Sequence, residues 1–128
     1  MSKKILLVDD SRTSLMLQKM MLKDVELELD IHTASNGRQA VEVAARERPD
    51  LVLMDVMMPE MNGFEAVRAI RSMPEIAATP IIMITTRGES SNLASGFAAG
   101  CNEYLVKPFS AATLLEKVEA YLGRAPAG

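Results

Sequence analysis

Aromatic rings, thiols and imidazoles are scarce in this chain. Its 128 residues include no tryptophan, two tyrosines and three phenylalanines. Proteins that sandwich a flavin or stack bases draw on aromatic faces, and few are available here. The single cysteine, Cys101, has no partner for an internal bridge, which excludes a disulfide framework and fits a reducing compartment. The single histidine, His32, argues against a histidine-based metal or acid–base site. Excess positive charge is missing too. Fourteen basic and 17 acidic side chains leave a net charge of −3, the wrong sign for a protein held to phosphate backbones, so no nucleic-acid partner is expected. No apolar run approaches the roughly 18 residues of a membrane helix, or the roughly seven of a secretory core after the first lysines. No Gly-x-x-x-x-Gly-Lys-[Ser/Thr] phosphate loop occurs. These absences lead us to expect a soluble, cytoplasmic protein with no membrane partner.

What is present suits one globular domain. Hydrophobic residues make up 48% and charged residues 24% of the chain, and this length can bury a core unaided. Short apolar runs alternate with helical stripes. Ile5-Leu6-Leu7-Val8 ends at Asp9-Asp10, and a helical stretch follows from about Ser11 to Lys23 with Leu17, Met20 and Met21 on one side and an apolar set wider than one stripe, so that part of it is expected to be exposed. Leu27, Leu29, Ile31 and Thr33 alternate with charged neighbours, the pattern of a half-buried edge strand. Asn36-Gly37 punctuates, and a helix is expected from about Arg38 to Arg48, with Ala40, Val41 and Ala44 inward. Leu51 to Met54 ends at Asp55, and Pro59 shapes the loop that follows. Asn62 with Glu65 forms a capping-box pattern for a helix carrying Phe64, Val67 and Ile70 inward. Pro80 to Ile84 ends at Thr85-Thr86, before a low-propensity helix from about Ser91 to Ala99 that contains Gly96. Tyr104-Leu105-Val106 ends at Lys107-Pro108, and Ser110 caps a last helix with Leu114, Leu115, Val118 and Leu122 on one face.

Five runs and five stripes predict an α/β fold: a (βα)5, flavodoxin-like, doubly wound five-stranded parallel sheet. Four continuous runs predict strands buried on both faces, and the alternating second run predicts an edge; right-handed crossovers then favour the order 2-1-3-4-5. The domain is expected over residues 1–123, with 124–128 a frayed tail.

Open parallel sheets bind ligands beyond the carboxyl ends of their strands, where the order reverses. The residues there are Asp9, Asp10, Asp55, Thr85 and Lys107. Two carboxylates about 4 Å apart repel by roughly 4 kcal/mol at an effective dielectric near 20. A divalent cation relieves such a cluster, and hard oxygen ligands select Mg²⁺. Strand-end aspartate is also a common helix cap, so the constellation, rather than any one residue, carries the reading.

With Asp9-Asp10, Met54-Asp55-Val56-Met57-Met58-Pro59-Glu60-Met61-Asn62-Gly63, Thr85 and Tyr104-Leu105-Val106-Lys107-Pro108 in this order, nearly the whole chain resembles a response-regulator receiver domain. It is similar to the stand-alone, chemotaxis-type receivers of two-component signalling. The resemblance implies a phosphoprotein rather than an enzyme with a separate substrate. Asp55 would accept the phosphoryl group of a histidine kinase. Asp10, Asp55 and the Met57 carbonyl would ligate Mg²⁺, with Asp9 acting through a metal-bound water. Lys107 and Thr85 would contact phosphoryl oxygens, and the Lys107–Pro108 bond would be cis.

The same resemblance implies a switch: Thr85 moves, draws Thr86 to Ser90 with it, and Tyr104 turns. The face built from the fourth helix, fifth strand and fifth helix then binds a downstream target protein. Thr86 departs from the alanine often found there, adding bulk beside that movement. Met57 and Arg87 offer no amide or carboxylate to orient water, so loss of the phosphoryl group is expected to be slow. Three alternatives stand beside this reading: a non-phosphorylated docking module, a flavodoxin-type FMN protein and an aspartate-nucleophile phosphohydrolase. Asp9-Asp10 in the first loop opposes FMN phosphate, and Asp55-Val56-Met57 lacks the Asp-x-Asp usual in the hydrolases.

Overall fold

Five strands and five helices alternate along the chain in a computed structural model that describes residues 2–86 and 93–123. They are β1 (Lys3–Val8), α1 (Arg12–Leu22), β2 (Leu29–Ala34), α2 (Gly37–Glu47), β3 (Leu51–Asp55), α3 (Gly63–Arg71), β4 (Ile81–Thr86), α4 (Leu93–Ala99), β5 (Glu103–Lys107) and α5 (Ala111–Leu122). All neighbouring strands pair in parallel, in the order 2-1-3-4-5. This is the doubly wound fold expected from the sequence.

Strand alternation sorts the core into two layers. Ile5, Leu7, Leu51, Leu53, Ile82 and Ile84 pack with Leu22 of α1 and with Leu114, Val118 and Leu122 of α5. Leu6, Val8, Val52, Met54, Ile81 and Met83 face the opposite way, toward Ala40, Val43 and Ala44 of α2 and Ala66, Val67 and Ile70 of α3. Ser11, Asn36, Asn62 and Ser110 cap four of the helices, each accepting a hydrogen bond from an amide three residues on. Asn62 and Glu65 form the complete capping box. Each cap contributes about 1 kcal/mol.

Three expectations need correction. Leu17 and Met20 of α1 are 49% and 56% exposed, and Gln18 and Leu22 take the buried positions instead. In α2, Val43 is buried while Val41 is only half-buried. The Tyr104 to Val106 run is not enclosed on both faces, since Val106 is 39% exposed. The 124–128 tail lies outside the described residues, as does the start of the fourth helix stripe.

Two tertiary ties anchor the edge that ends in β5. Arg71, at the end of α3, donates to the carbonyls of Gly100 (2.9 Å), Ala77 (2.9 Å) and Thr79 (2.6 Å) and to Asn102 Oδ1 (3.0 Å). Asn102 Oδ1 also accepts from the Ile81 amide at 2.8 Å, so one guanidinium links α3, the entry to β4 and the approach to β5. On the other layer, Glu103 of β5 holds Lys117 and Tyr121 of α5 through its two carboxylate oxygens.

Arg71→Ala should destabilise the fold by about 2–4 kcal/mol in urea titration, because partly buried carbonyls lose a charged donor. Arg71→Lys should recover only part of that loss, since an ammonium lacks the planar fork. The Lys117 hydrogen bond holds the Glu103 carboxyl below its ordinary range, with Tyr121 adding to the effect against the cost of burial. The stability from Glu103 is therefore present above the unfolded pKa of about 4.3 and is lost as pH falls through the lowered folded value. Glu103→Gln should lose stability at neutral pH and show a shallower decline in acid, measured by urea melts at several pH values.

Candidate functional site

The register of the sheet brings the polar strand ends to one level. Val8 pairs with Met54, which places Asp9 beside Asp55; Asp55 pairs with Ile84, and Thr86 with Lys107. Alternation then sorts these side chains between the two faces. Asp55 follows Leu51 and Leu53, and Lys107 follows Leu105, so both point toward the α1/α5 layer. Thr85 follows Ile81 and Met83 toward the α2/α3 layer, where Tyr104 also packs.

On the first face, one oxygen each of Asp9, Asp10 and Asp55 gather within 4.8 Å of one another. Asp9 is 1% and Asp55 8% exposed, whereas Asp10 is exposed. Lys107 Nζ lies 3.0 Å from Asp9 Oδ2 and 3.8 Å from Asp55 Oδ1. The other Asp9 oxygen accepts from the Ser11 amide at 2.9 Å. Asp9 therefore orients the start of α1, while the helix cap itself is Ser11. Burial works against the Lys107 charge, but the hydrogen bond to Asp9 and the fields of Asp55, Asp9 and Asp10 outweigh it and raise its pKa. The ammonium is fixed as a cation.

This donor set fits a hard divalent cation. It offers only oxygen, and it crowds three carboxylates beside one ammonium. Both Asp9 oxygens are already engaged, while Asp10 makes no hydrogen bond or ion pair among the described residues. Met57 stands two residues beyond Asp55 on the loop leaving β3, with its side chain 57% exposed. Gly63 lets α3 begin directly against that loop. A Cβ there would run into the Asp55 carbonyl oxygen and come within 2.6 Å of Met83 Cε, and the Gly63 amide donates to the Val56 carbonyl at 2.9 Å.

On the opposite face Thr85 is 1% exposed, and its Oγ1 donates to the Thr86 carbonyl at 3.3 Å. Thr86 is exposed and, with Lys107, borders a cavity of about 430 Å³ against Leu17, Met21, Pro108 and Phe109. The Lys107–Pro108 peptide is cis, as expected. Arg87 and the rest of the 87–90 segment expected to follow Thr85 lie outside the described residues. Sequence reasoning missed Ser11 as the cap tied to Asp9, although Ser before an apolar stripe is itself a cap signal.

The chain matches the response regulator receiver domain family over residues 5–119. It is 42% identical to the transcriptional regulatory protein SrrA of Staphylococcus aureus over 124 residues, 97% of this chain and 49% of that protein. It thus spans about half the length of such curated relatives. The chemotaxis response regulator CheY4 of Vibrio cholerae superposes with a TM-score of 0.84 at 37% identity, covering 94% of this chain and 99% of that one. The receiver domain of the sensor histidine kinase PA1611 from Pseudomonas aeruginosa, with a magnesium ion coordinated in its active site cleft, gives 0.86 at 32% identity, covering 96% and 99%. Receiver domains are phosphoacceptor modules that work with histidine kinases and bind Mg²⁺ in an acidic pocket. No helix among the described residues is long and apolar enough to cross a membrane. A strand-end acidic crevice, a matching fold and a family match over most of its length together make this chain a member of the response regulator receiver domain family.

Proposed function

We propose that Asp55 is the phosphoacceptor and that its modification changes the α4–β5–α5 face for a downstream protein. The observation that carries this is the gathering of Asp9, Asp10 and Asp55 within 4.8 Å beneath the Lys107 ammonium. A carboxylate oxygen of Asp55 attacks the phosphorus of a phosphohistidine on the kinase. The new P–O bond forms as the P–N bond breaks, and the imidazole leaves as a neutral base once protonated from solvent. Asp10, Asp55 and the Met57 carbonyl would hold Mg²⁺, which when bound offsets charge on the transferring group.

Lys107 is a mobile point charge. It rests on Asp9 and within reach of Asp55, and it follows the added negative charge of roughly −1.5 to −2 onto a phosphoryl oxygen. Thr85 supplies a hydroxyl to a second phosphoryl oxygen by leaving its contact with the Thr86 carbonyl. That movement shifts Thr86 at the end of β4 and frees Tyr104, which shares Thr85's face of the sheet, to turn. Phe97 and Val106, 54% and 39% exposed, provide apolar area on the face the target would meet. Exposed Leu17 on α1, which lines the cavity next to Lys107, and the exposed Met16 and Met20 of the same helix offer the kinase an adaptable apolar surface. The Met57 side chain cannot orient a hydrolytic water through an amide or carboxylate, which supports slow loss of the phosphoryl group.

Incubation with acetyl phosphate and Mg²⁺ followed by intact-mass measurement tests the assignment. The parent should gain about 80 Da, one phosphoryl group, and Asp55→Asn should gain nothing. An equal gain in Asp55→Asn would place the acceptor elsewhere.

A further inference from the structure

Gly96 stands inside α4, where glycine is disfavoured relative to alanine. It does not adopt the left-handed conformation that would demand glycine; Gly100 and Gly123 are the described glycines with positive φ. What distinguishes position 96 is the space its missing side chain leaves. A Cβ there would fall on the Tyr104 hydroxyl, 2.5 Å from Cζ and 3.0 Å from Cε2. The obstacle is the outer end of a side chain rather than main chain, so the ring yields before the helix does. Two further contacts hold the tyrosine in this position. Its ring meets Phe97 edge-on, with centroids 5.3 Å apart and planes at 69°. Its inner side packs on the core layer that includes Ala99 and Cys101.

We infer that Gly96 is the positioning residue for Tyr104: the gap at this point of α4 seats the tyrosine hydroxyl and holds the Tyr104–Phe97 pair in its resting arrangement. The seat is a property of the unphosphorylated chain. Its regulatory meaning rests on the proposed coupling between Asp55 and Tyr104. Burial in the seat also pushes the ionisation of Tyr104 up to about 12, in keeping with a phenol held neutral. The seat adds a condition that the acidic crevice alone does not impose. Any side chain at position 96 releases the aromatic pair whether or not Asp55 is modified.

The test uses 3-fluorotyrosine labelling in a Tyr121→Phe background, so that a single ¹⁹F resonance reports Tyr104. Its shift between H₂O and D₂O measures exposure of the ring. In the background protein that shift should be small, and adding Gly96→Ala should bring it close to the value for free fluorotyrosine. An unchanged resonance in a folded Gly96→Ala protein overturns the inference. Should Gly96→Ala fail to fold, the added change Tyr104→Leu should restore folding, because leucine stops short of the slot; a double variant that stays unfolded also overturns it. Acetyl phosphate should move the Tyr104 resonance in the background protein and leave it in place in Gly96→Ala, where the ring is already released. Phosphoryl uptake, read as mass gain, should be equal in both, since position 96 lies outside the acidic crevice. Failure of the background protein to take up phosphate would count against the functional reading and leave the seat standing.

Discussion

Three carboxylates and one ammonium share the carboxyl ends of β1, β3 and β5, and the fold does not let them separate. At 4.8 Å and an effective dielectric near 20, each pair of carboxylates repels by about 3–4 kcal/mol. Lys107 neutralises part of this, mainly through Asp9 at 3.0 Å. The strands beneath are packed by Ile5, Leu7, Leu53 and Ile84, all fully buried, so the sheet cannot spread to relieve the remainder. The result is a rigid site with unspent affinity for positive charge. With a divalent cation in place, the same site becomes tolerant of an incoming phosphoryl group.

The alternation that aims Asp9, Asp55 and Lys107 at the α1/α5 layer aims Thr85 and Tyr104 at the other. The end of β4 is therefore where the two faces communicate. Thr85 is buried on one side, its neighbour Thr86 is exposed on the other, and Thr86 pairs with Lys107 across the strands. In the proposed switch, a change of charge on the α1 side is felt here as a change of packing on the α4 side. Arg71 and Glu103 brace the same edge from either layer.

The central strands were legible because a strand buried on both faces must be a continuous apolar run, as Leu51 to Met54 and Ile81 to Ile84 are. The charged alternation of β2 marked an edge for the converse reason. The acidic residues were legible because they end such runs abruptly. Local chemistry also gave Asn62, Glu65 and Ser110 as caps. What escaped was set by distant contacts. Arg71 reads as an ordinary helix-terminal cation until Gly100 and Asn102, 29 and 31 residues away, are folded onto it. Gly96 reads as a weak point in a helix until Tyr104 fills it. Leu17 and Met20 carry an apolar signature on a face that the fold leaves uncovered.

Chemical denaturation with and without Mg²⁺, at matched ionic strength, tests the claim of electrostatic crowding most directly. Mg²⁺ at about 100 times its dissociation constant should add roughly 2.7 kcal/mol to the stability of the parent, and Asp10→Asn should lose most of that gain. Equal stability in Mg²⁺ and in sodium chloride, or an undiminished gain in Asp10→Asn, would contradict it.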